Sequence, residues 1–162
     1  EDGRFVIDID IDIAVKFLGF TAYRYTLTNR EVWTGGRIES VDSEANDDGS
    51  RGHAHIRGSA EALEVDGSEF SGTAPLSAAT TSYYTPAFLD RRPWISTQSG
   101  KLLDIRTERR QGSRWLVRGD LETALVYENG EWVSSEFTAR GARVTYQTTE
   151  STGQIAPLWE QA

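Results

Sequence analysis

The chain has 162 residues with 17 basic and 25 acidic side chains, and its formal net charge is −8. This balance argues against a nucleic-acid-binding surface, which needs a basic patch, and less strongly against binding to an anionic membrane surface. The chain contains no cysteine, which excludes disulfides and thiol chemistry, and its length suits one domain over 1–162.

The first strand is predicted by the stretch from Phe5 to Phe17, which reads FVIDIDIDIAVKF. Aliphatic residues alternate with aspartate, and only a strand, whose side chains repeat every two residues, sorts them onto two faces. Thirteen residues at about 3.3 Å each span roughly 43 Å, so we expect a large curved sheet. Because Asp8, Asp10 and Asp12 would lie about 7 Å apart and point the same way, we interpret them as a solvated face and not as calcium ligands.

Further strands follow at short intervals, separated by turns that contain Gly, Asn or Asp. The predicted strands are 21–30, 38–41, 53–57, 63–65, 101–109, 113–118, 121–128, 131–139 and 142–149. Residues 31–33 either continue the strand 21–30 or begin the next one. Asn129–Gly130 is the strongest hairpin turn, because both residues tolerate positive φ, and Arg140–Gly141 is a further turn. The tail, 151–162, carries Trp159 and is expected to pack back on the sheet.

The segment 70–94 breaks this rhythm, because its first twenty residues contain no charge and no clear alternation. Thr85 followed by Pro86 predicts a short helix near 86–92, which Pro93 ends. An insertion of this kind either covers the open mouth of a cupped sheet as a lid or fills the core as a plug. Its prolines and many hydroxyl side chains exclude a transmembrane segment.

These elements predict an all-β fold of about ten antiparallel strands and one short helix. Strands joined by tight turns are neighbours in space, so we expect a meander that forms one strongly curved sheet or a partly closed barrel. A sandwich of two β-sheets is the alternative.

Aromatic side chains are the candidate binding residues. They concentrate in the segment 70–94 beside Arg91 and Arg92, and apolar clefts with a few polar groups are the usual ligand sites. The predicted ligand-binding residues are Tyr23, Tyr25, Trp33, Tyr83, Tyr84, Phe88 and Trp94.

The two histidines, His53 and His55, lie at i and i+2 on a predicted strand, so both imidazoles point to one face. The pair resembles the His-x-His core of cupins, but the next glutamate is Glu61 and there is no third histidine. Because metal sites need three or four protein ligands, we predict neither a metal nor a cofactor.

No set of catalytic residues stands out. There is no Gly-rich phosphate loop, and no pair of carboxylates is singled out as general acid and base. A small barrel enzyme of the cyclase or isomerase type would need a polar residue with a perturbed pKa in its cavity, and Tyr83, His55 and Arg57 are the first residues to inspect.

Short motifs that resemble those of one family extend over nearly the whole chain. They are Tyr23-Arg24-Tyr25, Glu31-Val32-Trp33, Gly36-Arg37, Asp47-Asp48-Gly49, the central run from Thr81 to Leu89, Thr97-Gln98-Ser99-Gly100, Gly119-Asp120-Leu121, Tyr127, Gly130-Glu131-Trp132, Arg140-Gly141 and Tyr146. Together they resemble a bacterial family named domain of unknown function 6134, in which Trp-Asn more usually stands where this chain has Tyr84-Thr85.

The resemblance implies a small, often exported bacterial protein with no established activity, so no catalytic residues are carried over. Family members begin with a further hairpin, and we therefore expect a segment to have preceded Glu1. We expect a periplasmic or otherwise exported, non-enzymatic binding protein of the cell envelope that holds a lipid or other apolar small molecule in the concave face of its sheet. The alternative is an accessory subunit that binds another protein of an assembly through a sheet edge.

Overall fold

Six strands from the first part of the chain pair in the order in which they occur. The computed structural model describes residues 3–139 and 141–161. The six strands are β1 (Arg4–Phe17), β2 (Phe20–Thr34), β3 (Arg37–Asp47), β4 (Ser50–Gly58), β5 (Leu63–Gly67) and β6 (Ser71–Ala74). Each pairs antiparallel with the next, because tight turns bring consecutive strands together.

The β1–β2 hairpin confirms the predicted two-residue alternation. Its register places Ile7 opposite Glu31 on the inner face, which looks toward the core, and Asp8 opposite Arg30 on the outer face. Ile7 and Ile9 pack against the core, whereas the outer aspartates are exposed. The side chain of Phe17, predicted to continue the inner row, lies outside the described part of the structure.

The segment 70–94 contributes to a small sheet and a short helix. β7 (Ala79–Thr80) pairs parallel with β8 (Trp94–Ile95), which pairs antiparallel with β9 (Leu102–Leu103). A 3-10 helix spans Pro86–Asp90 between them, and the Thr85 hydroxyl accepts a hydrogen bond from the Ala87 N–H at 3.4 Å. The predicted helix is thus confirmed. The strands β6 to β8 were missed, because two to four residues are too few to display an alternation. The predicted strand 101–109 is divided into β9 and β10 at Asp104.

Five strands from the second part of the chain form a further meander. They are β10 (Ile105–Arg109), β11 (Arg114–Gly119), β12 (Thr123–Glu128), β13 (Glu131–Ala139) and β14 (Ala142–Gln147), paired in that order. Asn129 and Gly130 have φ values of 53° and 81°, as a two-residue turn with positive φ at both positions requires. Arg140 of the predicted Arg140–Gly141 turn lies outside the described residues.

Side chains from the two meanders pack into one core. Val41, Ile56 and Leu63 of the first sheet share it with Val117 and Leu125 of the second, and all of them are buried. The strand order of each sheet is open at both ends within the described residues, so none of the sheets closes into a barrel there. The all-β prediction is confirmed, and the architecture is compatible with a curved sheet or a sandwich.

The tail ends in a short helix, α1 (Ala156–Glu160), that lies against the core. Its Trp159 ring contacts aromatic rings of both β1 and β2. The expected return of the tail to the sheet is therefore observed. Among the described residues, helices are all too short or too polar to cross a membrane.

Candidate functional site

Four of the seven predicted ligand-binding residues lie in the centre of the core. Trp33, Phe88 and Trp94 are fully buried, and Tyr84 is 5% exposed. The rings of Trp33 and Phe88 are 4.9 Å apart, and the Trp94 indole N–H donates to the carbonyl oxygen of Phe88 at 2.9 Å. The segment 70–94 thus supplies side chains that fill the space between the sheets. Protein atoms cover these four rings almost completely.

Two buried tyrosines in this region differ in how their hydroxyls are satisfied. The Tyr127 hydroxyl donates to the carbonyl oxygen of Tyr83 at 2.7 Å, and Tyr83 has a φ of 35°, which is rare for an aromatic residue. The Tyr84 hydroxyl is buried without a hydrogen-bond partner among the described residues. Burial raises the pKa of both phenols, and the Glu31 charge raises the pKa of Tyr84 further.

Replacing each of these two phenols by phenylalanine should have opposite effects. Tyr127→Phe leaves the Tyr83 carbonyl oxygen without its donor, and we expect a loss of about 1 to 2 kcal/mol in the free energy of unfolding. Tyr84→Phe removes an unsatisfied buried hydroxyl, so we expect no loss and a gain of up to about 1 kcal/mol. Urea unfolding of the two variants beside the parent chain checks the pair, and equal losses would contradict it.

Glu31, on the inner face of β2, is a fully buried acidic residue. The sequence-based prediction did not single it out. The carboxylate accepts hydrogen bonds from the Asn29 amide and the Trp33 indole, both at 2.8 Å. Burial raises the pKa of Glu31, and the hydrogen bonds, including those from Thr80 and Ser82, only partly offset this effect. The two-residue alternation of β2 could have indicated this burial, because Glu31 lies on the same strand face as Leu27 and Trp33.

The other three predicted binding residues, Tyr23, Tyr25 and Tyr83, are partly exposed. Tyr23 and Tyr25 lie opposite Val15 and Ile13 in the β1–β2 register, beyond the filled part of the core. We define the hairpin surface as the inner-face residues of this distal half of the hairpin, which are Ile11, Ile13, Val15, Tyr23 and Tyr25. Val15 is 51% exposed, and at the adjoining turn Leu18 and Phe20 are 81% and 79% exposed.

Polar groups lie at one border of the hairpin surface. The Tyr25 hydroxyl donates to the side-chain oxygen of Gln98 at 3.3 Å, and Asp47 is the β3 partner of Tyr25. Burial first, then the Asp47 carboxylate and the neighbouring phenols of Tyr23, Tyr146 and Tyr83, raise the pKa of Tyr25 to about 12. The surface is therefore aliphatic and phenolic, with one carboxylate at its border.

The turn that carries Gln98 is seated closely on the first sheet. A Cβ on Gly67 would lie 2.4 Å from the Ser99 carbonyl oxygen, and one on Gly52 would lie 2.4 Å from the Gln98 carbonyl oxygen. Only glycine at these positions lets the turn approach β4 and β5 so closely. The position of Gln98 against Tyr25 thus depends on two glycines in the sheet below it.

The predicted histidine pair lies on the opposite, outer face. The His53 and His55 rings stack with centroids 5.3 Å apart, and the two ring nitrogens of His55 lie 3.2 Å from Asp42 and 3.4 Å from Glu44. Burial opposes ionisation of Asp42, but hydrogen bonds and charge from Arg57 and His55 outweigh it and lower the Asp42 pKa. The three residues singled out for an enzyme do not meet, because His55 and Arg57 lie on the outer face and Tyr83 on the inner side.

Shallow clefts and acidic groups elsewhere do not involve the predicted binding residues. A cleft of about 320 Å³ is lined by Arg92, Pro93, Leu102, Leu103, Asp104 and Asp120, and one of about 230 Å³ by Asp8, Asp10, Thr28, Asn29, Arg30 and Asp42. Over residues 3–139 and 141–161, His, Asp and Glu side chains do not gather in threes in a way that would hold a metal ion. The arrangement is suited to non-covalent binding at the hairpin surface, since the buried carboxylate of Glu31 is sealed from solvent.

Comparison with known proteins returned one match. A family described as Domain of unknown function (DUF6134) matches residues 1–149 of the chain. Neither the comparison with curated proteins nor that with solved structures found a match.

Proposed function

We propose that this chain, which belongs to the family described as Domain of unknown function (DUF6134), is a non-enzymatic binding protein that holds an elongated apolar ligand on its hairpin surface. The observation that carries the proposal is the contrast along one inner face. Along β2 the inner-face residues from Leu27 to Trp33 are buried, whereas Tyr25 and Tyr23, nearer the turn, are partly exposed. Opposite them on β1, Ile13 is partly exposed and Val15 is 51% exposed. An open aliphatic row beside two phenols suits a linear hydrocarbon chain.

The charges around the hairpin surface favour a ligand without a negative charge. Asp47 borders the surface, the Tyr25 hydroxyl is uncharged, and the whole chain carries −8. A carboxylate or phosphate head group would be repelled by Asp47. The Gln98 amide and the phenols can instead exchange hydrogen bonds with a hydroxyl or ester head group. The proposed ligand class is therefore an uncharged single-chain lipid, and the proposed location of the protein is the cell envelope.

Binding of monolaurin, compared with laurate, tests this assignment. We expect saturable binding of monolaurin by titration calorimetry at pH 8, and at least tenfold weaker binding of laurate, because only laurate carries a charge toward Asp47. Ile13→Lys puts a charge in the middle of the hairpin surface and should abolish binding. Ala14→Lys is the matched control, since Ala14 is the next residue on the opposite, exposed face of β1.

Two results would overturn the apolar-ligand proposal. One is a folded protein that binds neither lipid saturably. The other is an equal loss of binding in Ile13→Lys and Ala14→Lys, because a specific inner-face site predicts a difference between adjacent positions.

A second candidate function is carried by the free edge of β1. Within the described residues β1 pairs only with β2, along fourteen residues that contain no proline. A long unpaired strand edge can pair with an extended strand of another chain. Mass spectrometry of the protein from its native source under native and denaturing conditions separates the two functions. A small mass excess lost on denaturation favours the lipid, and a complex with another polypeptide favours strand pairing.

A further inference from the structure

We propose that the body of this protein carries a second site, a socket for an indole side chain on a short helical segment of a partner protein, which its own tail occupies in cis. We define the aromatic socket as Phe5, Trp33, Tyr84 and Phe88. The site is separate from the hairpin surface, because its rings belong to the filled part of the core. It does not depend on the proposed lipid ligand.

Trp159 fills the aromatic socket by edge contacts alone. Its ring centroid lies 5.2 Å from that of Trp33, 5.6 Å from Phe5, 5.7 Å from Phe88 and 6.0 Å from Tyr84, and all four contacts are T-shaped. Such edge-to-face contacts are the favourable geometry for an indole among aromatic rings. The structure therefore displays the chemistry of the ligand that the socket accepts.

The tail is held to the body by apolar contacts and one hydrogen bond. Ile155, which precedes α1, and Trp159 within α1 pack against the core, and the Ala156 N–H donates to the Glu131 carboxylate at 2.7 Å. Residues 148–154, which connect the tail to β14, are exposed and have no regular secondary structure. Displacement of the tail therefore requires loss of the Trp159 contacts and of this hydrogen bond, and not of the β13–β14 pairing, which ends at Gln147.

The match between tail and socket is incomplete. The Tyr84 ring contacts Trp159, yet its hydroxyl is buried without a hydrogen-bond partner among the described residues. A partner segment that supplies a hydrogen-bond group to this hydroxyl would bind more tightly than the tail does. The family match ends at residue 149, so the socket residues lie inside the matched region and the tail lies outside it.

Charge defines the partner segment further. The Arg91 guanidinium lies 5.5 Å over the Trp33 ring and places a positive charge beside the socket of an otherwise acidic protein. A carboxylate next to the indole would complement this positive charge, and the sequence Trp159–Glu160 of the tail contains such a pair. The partner is thus an amphipathic helical segment with a tryptophan next to an acidic residue, bound in the helix-in-groove mode.

A dye-labelled peptide of residues 151–162 tests the socket in the full-length chain. The Trp159→Ala chain should bind the peptide saturably in fluorescence anisotropy. The parent chain should bind it at least tenfold more weakly, because its tethered tail competes at an effective concentration on the order of millimolar. Leu158→Ala is the matched control and should behave like the parent chain, since Leu158 is 59% exposed on the same helix.

Further variants keep the proposal falsifiable. A peptide with alanine in place of its tryptophan should not bind the Trp159→Ala chain. Glu131→Ala removes the anchor of the Ala156 N–H and should increase peptide binding without removing the indole. A folded Trp159→Ala chain that does not bind the peptide would overturn the proposal. So would unfolding of both variants, because a segment required for folding cannot be displaced. A dimer of the parent chain that Trp159→Ala abolishes would assign the socket to the tail of a second copy and overturn the separate partner.

Discussion

Replacement of Glu31 by alanine is expected to lower the free energy of unfolding by about 3 to 5 kcal/mol, because it removes the acceptor of two buried donors at about 1 to 3 kcal/mol each and leaves a small cavity. The Asn29 amide and the Trp33 indole would lose their partner at 2.8 Å and could not reach water. Glu64→Ala is the matched control. Glu64 is exposed on the outer face of β5, and its replacement should change the free energy of unfolding by less than about 0.5 kcal/mol.

Glu31→Gln should behave differently, because it keeps the size of the side chain and removes the charge. The glutamine oxygen can accept from the Trp33 indole, and its amide can donate to the Asn29 side-chain oxygen, which has no partner among the described residues. This exchange requires only a flip of the Asn29 amide. We therefore expect Glu31→Gln to be far less destabilised than Glu31→Ala.

The pH dependence of stability distinguishes the same two side chains. Because burial raises the pKa of Glu31 above its ordinary value of 4.5, the folded state keeps a proton that the unfolded state releases. The contribution of Glu31 to the free energy of unfolding is fully present below its ordinary pKa, and it is lost as the pH rises through the raised pKa of the folded state. Glu31 is hydrogen-bonded by the side chains of Asn29, Trp33, Thr80 and Ser82, and its charge acts on Tyr84, whose pKa is also raised.

Urea unfolding at pH 5 and pH 8 measures this effect. The parent chain should lose stability between the two values, and Glu31→Gln should lose less. A parallel pH dependence in the two proteins would contradict the assignment of a proton to Glu31. A Glu31→Ala protein as stable as the Glu64→Ala control would contradict the role of its hydrogen bonds.

Gly67→Ala is the second substitution with a large expected effect. Its Cβ would lie 2.4 Å from the Ser99 carbonyl oxygen and 2.7 Å from the Gly100 Cα, and both are backbone atoms. The Ser99 oxygen is fixed by the Glu69 N–H, which donates to it at 3.0 Å, so it cannot move aside freely. We expect a loss of about 3 kcal/mol, at the upper end for overpacking, and a melting temperature lower by about 6 to 12 °C.

Gly153→Ala is the matched control for this prediction. A Cβ at Gly153 would have nothing within 4 Å, and its substitution should leave the melting temperature unchanged. The Gly67→Ala protein should also bind monolaurin more weakly, because displacement of the turn moves Gln98 away from Tyr25. Equal melting temperatures for the two alanine variants would contradict the close seating of the turn on β5.

Sequence reasoning worked best where the pattern was long. Fourteen residues of β1 and nine of β13 were predicted to within one residue at each end, since alternation over many positions leaves one interpretation. The helix after Thr85 was found because a hydroxyl cap followed by proline is a local signal. The strands β7 and β8 were missed because each is two residues long and pairs with a partner distant in sequence.

The binding residues were predicted only in part, and for a physical reason. Aromatic composition identified Trp33, Phe88 and Trp94, but it cannot tell a ring that lines an open face from one that fills the core. That distinction depends on what packs against each ring, and the segment 70–94 fully buries these three. Tyr23 and Tyr25 are partly exposed and lie near the turn of the hairpin, opposite Val15 and Ile13.

The sequence by itself determined the all-β class, the faces of β1 and β2 and the positions of the main turns, because two-residue periodicity and positive-φ residues act over short distances along the chain. The tertiary structure alone decided that Glu31 is sealed, that Trp159 meets Phe5 and Trp33, and that the distal half of the hairpin stays open. These features depend on contacts between residues far apart in sequence. No local pattern encodes which distant side chain will cover a given position.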